Sequence, residues 1–268
     1  MGYAYDTVLA FATVGAASPF PTALAAAPGD SLTVRGVVAE STVSLEAVIY
    51  ATNVTGQKAR IVSPLLHDNV TGLTFAAGEN PAAFLVPAAI DVALSEQDTL
   101  ACYGAATAAA TILMGLQIQY ANVRGVSADL YRWSDLRDDV KSFKAIEVDL
   151  AAIAVGAWTD TLITQTENQL HADSSYAVVG YSCSQSVDLV GVKGIATGNL
   201  RYCGPGQSST LDLTSYYIYM GEEQNIATVP VFQANDRNSF YVSAANHAAI
   251  GGGTAIVSLI VAELKSKR

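Results

Sequence analysis

Short runs rich in Val, Ile, Thr, Leu and Tyr recur along this chain of 268 residues, and Gly, Asn and Pro interrupt them. In Leu116-Gln-Ile-Gln-Tyr120 apolar and polar residues alternate strictly, the signature of a strand with one buried face. Comparable runs predict strands over 31–38, 44–50, 58–62, 83–86, 99–103 and 111–120. Turn chemistry separates them: Asn53-Val-Thr-Gly56, Asn69-Val-Thr-Gly72, Gly78-Glu-Asn-Pro81, Ala196-Thr-Gly-Asn199 and Cys203-Gly-Pro-Gly206 supply the residues that tight turns need.

One segment breaks the pattern. Over 129–144, Leu130, Trp133, Leu136 or Arg137, Val140 and Phe143 fall at three-to-four spacing among charged residues, which predicts an amphipathic helix. Ser127 or Ser134 is placed to cap it, with acids following as suits a helix N-terminus. Trp133 is the candidate anchor of this helix across the junction between two domains.

Those two domains are announced by an internal repeat. Leu9-Ala-Phe-Ala-Thr-Val-Gly-Ala16 returns as Leu150-Ala-Ala-Ile-Ala-Val-Gly-Ala157, five identities in eight at an offset of 141. Asp30-Ser31 returns as Asp173-Ser174, the stretch ending at Pro87 returns ending at Pro230, and the TILMGL run from Thr111 returns as TAIVSL from Thr254, each at offset 143. A period this long exceeds that of a solenoid or propeller blade and matches a whole small domain. The chain therefore divides into 1–126, a helical linker over 127–148, and 149–268. About seven or eight strands fit in each copy, the number of a jelly roll or related sandwich.

Composition changes the picture at the surface. Charged residues make up only 14% of the chain and hydrophobic ones 51%, with a mean hydropathy of +0.30. An ordinary soluble protein carries about 25% charged residues, so neighbouring subunits are expected to cover much of this surface. The net charge of −10 argues against a direct grip on nucleic acid. The apolar N-terminal region lacks the leading Lys or Arg of a secretory signal, and Met1-Gly2 is not followed by a myristoylation pattern.

Candidate chemistry is sparse. His67, His171 and His247 are isolated from one another, with no spacing that would gather a metal or serve the paired-histidine strand of a cupin. Ser182-Cys183-Ser184 lacks the glycines of a nucleophile elbow, and Gly251-Gly-Gly253 precedes a strand, so it is no phosphate loop. The reading is of a protein that is not an enzyme and needs no cofactor. Asn53 and Asn69 stand in glycosylation sequons but read as turn residues. Of the three cysteines, Cys183 and Cys203 are the pair that a disulfide would join, with all three reduced and buried as the simpler expectation.

Two repeated all-β units of jelly-roll size, a helical linker, depleted charge and no catalytic set together resemble the double jelly-roll major capsid proteins of icosahedral DNA viruses. The resemblance is architectural, covers nearly the whole chain and rests on no short motif. It implies two tandem jelly-roll β-sandwiches, a homotrimer whose six jelly rolls form a pseudo-hexagonal block, trimers tiling a shell with other capsid proteins, and a virion location after assembly in the host cytoplasm. Lys265, Lys267 and Arg268 are then the candidate contact to the inner face or to an internal membrane.

The alternative from another class is a tandem β-sandwich binding module such as a viral fibre, adhesin or carbohydrate-binding protein. For it, Tyr216-Tyr217 and Tyr202 with Tyr219 are the candidate stacking platforms.

Overall fold

The computed structural model describes residues 2–38, 41–54, 57–63, 72–77, 82–85, 93–163, 170–208, 211–222 and 225–265. His67, Asn69, the turn over 78–81, Pro87, Lys267 and Arg268 lie outside them.

The chain is all-β, with antiparallel sheets. Its first half contributes β1 (Tyr3–Val14), β2 (Ser18–Ala26), β3 (Val43–Thr52), β4 (Gln57–Val62), β5 (Leu73–Ala77), β6 (Ala82–Leu85), β7 (Ala93–Leu94), β8 (Ala101–Ala106) and β9 (Ala110–Ala121). These join in one curled nine-stranded sheet ordered β5-β4-β8-β2-β1-β9-β3-β6, with β7 also on β3. Along β9, Ile112, Met114, Leu116 and Ile118 point to one side, into a core with Val8, Ala10, Val48, Tyr50, Ala59, Ile61 and Cys102. The alternate residues Leu113, Gln117 and Gln119 point to the other side and are also covered, so this sheet is buried on both faces in its middle.

The second half contributes β10 (Leu130–Tyr131), α1 (Trp133–Leu136), β11 (Val140–Asp149), β12 (Trp158–Leu162), β13 (Ser175–Cys183), β14 (Leu189–Lys193), β15 (Arg201–Pro205), α2 (Tyr216–Glu222), β16 (Val229–Gln233), β17 (Tyr241–Ala245) and β18 (Ile256–Leu264). One sheet runs β10-β16-β13-β18-β11 and a second β12-β17-β14-β15. Their facing sides enclose a core that includes Ile146, Val148, Val178, Val190, Val192, Tyr202, Val242, Val257, Leu259 and Val261.

Pairing orders in the two halves run in parallel. In the first, β9 lies between β1 and β3; in the second, β18 lies between β11 and β13. Thr7 faces Gln117 on β9 as Ala145 faces Ile260 on β18. Each half also carries a register shift at the same place in this ladder, between Leu45 and Ala47 on β3 and between Val178 and Gly180 on β13. A bulge at a matched position bends both strands alike.

The sequence blocks follow this correspondence unevenly. Thr111 lies in β9, while Thr254 stands two residues before β18 in a turn where its hydroxyl donates to the Gly251 carbonyl at 2.5 Å. Leu9 sits inside β1 opposite Gly115, whereas Leu150 follows β11 and its amide bonds the Ala255 carbonyl. That pair of blocks is thus out of register. Pro230 lies in β16 opposite Leu130.

The expected helix over 129–144 shrinks to the four residues of α1, followed by a 3-10 turn over Arg137–Asp139. Neither serine caps it: Arg132 is the N-cap residue and makes no side-chain cap bond. From Val140 onward a period of two wins, because Ile146 and Val148 bury against the core while Lys141, Phe143, Ala145 and Glu147 face outward. Residues expected to link the halves therefore supply an edge strand of the second. The strand expected over 31–38 is likewise an irregular crossing, held by single bridges Thr33–Thr99 and Val37–Val123. Cys203 to Pro205 lie in β15, not in a turn. At the other predicted turn, a 3-10 helix over Ile195–Thr197 ends in Gly198 and Asn199 with φ of 64° and 61°, values that Gly and Asn tolerate best.

Candidate functional site: the seam between the two halves

Outward-facing residues of β1, β3 and β9 meet β14, β15 and β17. Leu9, Ala47, Ile49, Ala51 and Leu113 pack with Leu189 and Ala245, and Phe11 and Trp158 close the edge. The approach is tight where side chains are absent. A Cβ on Gly115 would fall 2.3 Å from Leu189 Cδ2, and one on Gly156 would fall 2.3 Å from the Phe11 ring.

Polar groups inside the seam are matched in kind. Thr7 accepts from the Cys203 amide at 3.0 Å and donates to its carbonyl at 3.1 Å, so a strand of one half extends its bonding to a strand of the other. Gln117 Nε2 donates to the same carbonyl at 2.9 Å and to the Tyr216 hydroxyl at 3.2 Å. Gln119 Nε2 donates to the Tyr5 hydroxyl at 2.7 Å. Tyr5 lies flat on Tyr202, with ring centroids 4.3 Å apart, and Tyr217 meets Tyr202 edge-on at 4.8 Å. Buried donors and acceptors of this kind are costly unless paired.

The rim is ionic. Asp30 Oδ2 accepts from the Leu9 amide and from Trp158 Nε1, both at 2.7 Å, and Arg201 approaches Oδ1 at 3.5 Å. Arg201 also spans to Asp160 at 3.0 Å and lies over the Trp158 ring at 5.2 Å. Asp160 further accepts from Lys193 at 2.8 Å and Ser243 at 2.7 Å. Burial would raise the Asp160 carboxyl, but the bonds from Lys193, Ser243 and Arg201 outweigh it and hold the group below its ordinary value. At Asp30 and at Asp6, which pairs with Arg35 at 2.7 Å, burial prevails and both carboxyls are raised.

A second charged cluster lies away from the seam. Glu263, 1% exposed at the end of β18, accepts from Lys141, Lys144, His171, Ser142 and Ser174 at 2.7 to 3.1 Å. Burial pushes its carboxyl up, yet the bonds from His171, Lys141, Lys144 and Ser174 hold it far below the usual carboxylate range. It ties β11, β18 and the lead-in to β13 together. His247 pairs with the buried Asp188 at 2.8 Å. No group of three or more His, Cys, Asp or Glu suited to a metal occurs among the described residues.

Trp133 does not lie at the seam. It packs against the second-half core and meets Phe143 at 6.3 Å. The tryptophan between the halves is Trp158, which the sequence marks only by its place just after the repeated block. Cys183 and Cys203 form no bridge: Cys183 pairs into the β18 ladder and Cys203 lies in the other sheet against the first half. Cys102 and Cys203 are buried as expected, but Cys183 is half-buried. Lys265 is held to the 3-10 turn, its amide on the Asp139 carbonyl and its ammonium on that of Asp138 at 3.2 Å. Tyr202, Tyr216 and Tyr217 are at most 1% exposed, which removes them as stacking platforms; Tyr219 alone of that set reaches solvent. No described helix is long and apolar enough to cross a membrane.

In comparison with known proteins, the chain matches no family model and no curated protein sequence.

Proposed function

We propose that this chain is a structural capsid subunit built from two tandem jelly rolls, whose trimers tile an icosahedral virus shell. The observation that carries the reading is the matched pairing order. A jelly roll folds eight strands into two four-stranded sheets, with the first strand beside the last in one of them. The orders β16-β13-β18-β11 and β12-β17-β14-β15 in the second half, and β6-β3-β9-β1 continuing into β2-β8-β4-β5 in the one curled sheet of the first, support that arrangement. β7 and β10 are short additions to these sets.

The way the halves meet supports a building-block role. They share an apolar and hydrogen-bonded seam, not a linker between separate modules, and such a seam keeps two rolls at a fixed angle as a shell lattice requires. Depletion of charge to 14% supports extensive coverage by further copies. On this reading the protein is not an enzyme, uses no cofactor and does not grip the genome. It acts in the virion with other capsid proteins, and an internal membrane is its candidate inner neighbour.

The test is the state of the purified protein. Light scattering across about 1 to 100 μM should give a trimer that survives dilution, as obligate interfaces do, and negative-stain images should show sheets or shells. A soluble monomer throughout, with no ordered assemblies, would overturn the proposal.

A further inference from the structure

One face of the second half is the counterpart of the seam and is uncovered. The alignment of Thr111 with Thr254 sets Leu113, Gly115 and Gln117 of β9 against Ile256, Ser258 and Ile260 of β18. The ladders then set Tyr5, Thr7 and Leu9 of β1 against Phe143, Ala145 and Glu147 of β11. Tyr5, Thr7, Leu9, Leu113 and Gln117 are at most 1% exposed because β14, β15 and β17 lie on them. Their counterparts are open: Phe143 is 60% exposed, Ile256 37%, Ala145 and Glu147 are exposed, and Ser258 and Ile260 are half-buried. Exposed Phe and Ile on one sheet face mark an interaction surface.

The surface that would cover this face exists on the first half. Arg60 lies between Thr74 and Tyr103 in its sheet as Gly191 lies between Cys203 and Ser243. Ala59 and Ile61 turn to one core as Val190 and Val192 turn to the other. Lys58 is thereby the counterpart of Leu189, the residue that presses on Gly115. This outward face of β4, β5 and β8 carries Lys58, Arg60, Thr74 and Tyr103, with Arg60 over the Tyr103 ring at 4.9 Å. It is cationic where the open face of β11 ends in Glu147 and Asp149.

We infer that the outward face of β11 and β18 binds the outward face of β4, β5 and β8 from a second copy of this chain, repeating between chains the seam found within one. The contact is heterologous, so each chain offers one surface and uses the other; such a series forms a ring where the rotation between copies closes, as the trimer reading requires, and a filament where it does not. In place of the apolar Leu189–Gly115 contact it sets Lys58 near Ser258, with Lys58 and Arg60 toward Glu147 and Asp149. Charges of opposite sign select this pairing over like-with-like stacking of either face. The inference rests on the shell-subunit reading for the existence of a multi-copy assembly, and adds which faces meet.

Light scattering on full-length variants tests it. Phe143→Asp with Ile256→Asp changes side chains that are 60% and 37% exposed, so circular dichroism should stay as in the wild type while the melting temperature drops modestly through the lost Phe143–Trp133 contact and the partly buried Ile256. The assembly should dissociate at least about 100-fold more readily, as when central apolar contacts of an interface are lost. Lys58→Glu should weaken assembly, and adding Glu147→Lys should restore it. A monomeric wild type sinks the shell reading itself. A wild-type oligomer that keeps its mass in the double aspartate variant, with no rescue in the charge swap, overturns the face assignment alone.

Discussion

Tyr5 and Tyr202 stand 197 residues apart in the chain yet stack across the seam, their ring planes 8° apart and their centroids separated by 4.3 Å. Both are buried, but they differ in hydrogen bonding. The Tyr5 hydroxyl accepts from Gln119, while the Tyr202 hydroxyl has no partner among the described residues.

That difference predicts opposite responses to small and large truncations. Tyr202→Phe removes an unpaired buried hydroxyl and keeps the stack, so stability in urea should change by no more than about 0.5 kcal/mol, or rise. Tyr202→Ala should cost roughly 3 to 5 kcal/mol, as for other buried aromatics. A large loss in the Phe variant would mean that the hydroxyl is bonded after all.

Gly156 is constrained twice. Its φ of 64° suits glycine, and a Cβ there would run into the Phe11 ring. Gly156→Ala should therefore cost about 2 kcal/mol or more. Adding Phe11→Ala relieves the clash but not the backbone strain, so the pair of changes should be less than additive in a double-mutant cycle.

Acid should act in opposite directions at two places. The Glu263 carboxyl is depressed in the folded chain, so its stabilisation is present above its unfolded value, about 4.3, and is lost as pH falls toward the depressed folded value. Glu263→Gln should cost roughly 2 to 3 kcal/mol near pH 7, less than a fully buried pair because Lys141 and His171 are open to solvent. The gap to wild type should narrow below about pH 4. Asp6 and Asp30 are raised, so their protonated forms favour the fold. That contribution is full below their unfolded value and is lost as pH rises through the folded one. Asp6→Asn should thus fare best, relative to wild type, at neutral pH. Melting curves across pH 3 to about 8 check both signs.

Thiol chemistry follows burial. Burial pushes the Cys102 thiol up to about 12 and raises Cys203 well above its usual value; Cys183, half-buried, is raised as well. A thiol reagent should label at most Cys183, slowly, in the native protein, and all three in denaturant. Reductant should leave the melting temperature unchanged.

The strand over 111–120 was readable because Gln117 and Gln119 alternate with Leu116, Ile118 and Tyr120, although both faces of β9 are covered and the two glutamines are bonded within the seam. β11 was not, because Trp133, Leu136, Val140 and Phe143 happen to fall at helical spacing. Phe143 breaks strand alternation only because it faces outward, and burial of Ile146 and Val148 reveals the true period. β1 also escaped, since it is covered on both faces and shows little alternation. The seam was invisible for a different reason: Asp30, Trp158 and Arg201 meet only after three distant segments pack. Gly115 in the middle of an apolar strand and Gly156 in the repeated block were the local hints of close approach.

The place of β18 in its sheet sets an order of events during synthesis. β9 completes the first half once residue 121 has emerged, but β18 must arrive before β11 and β13 acquire the neighbour they share. Until β14 and β17 are made, Leu9, Leu113 and Ile49 have neither strand to lie on, and until β18 is made β11 has no ladder at all. A nascent chain halted after β13 would thus present a sticky, half-finished sheet, the kind of surface that chaperones hold and that aggregates when they do not. The second half cannot complete its larger sheet until its last strand is made, however quickly the early ones fold.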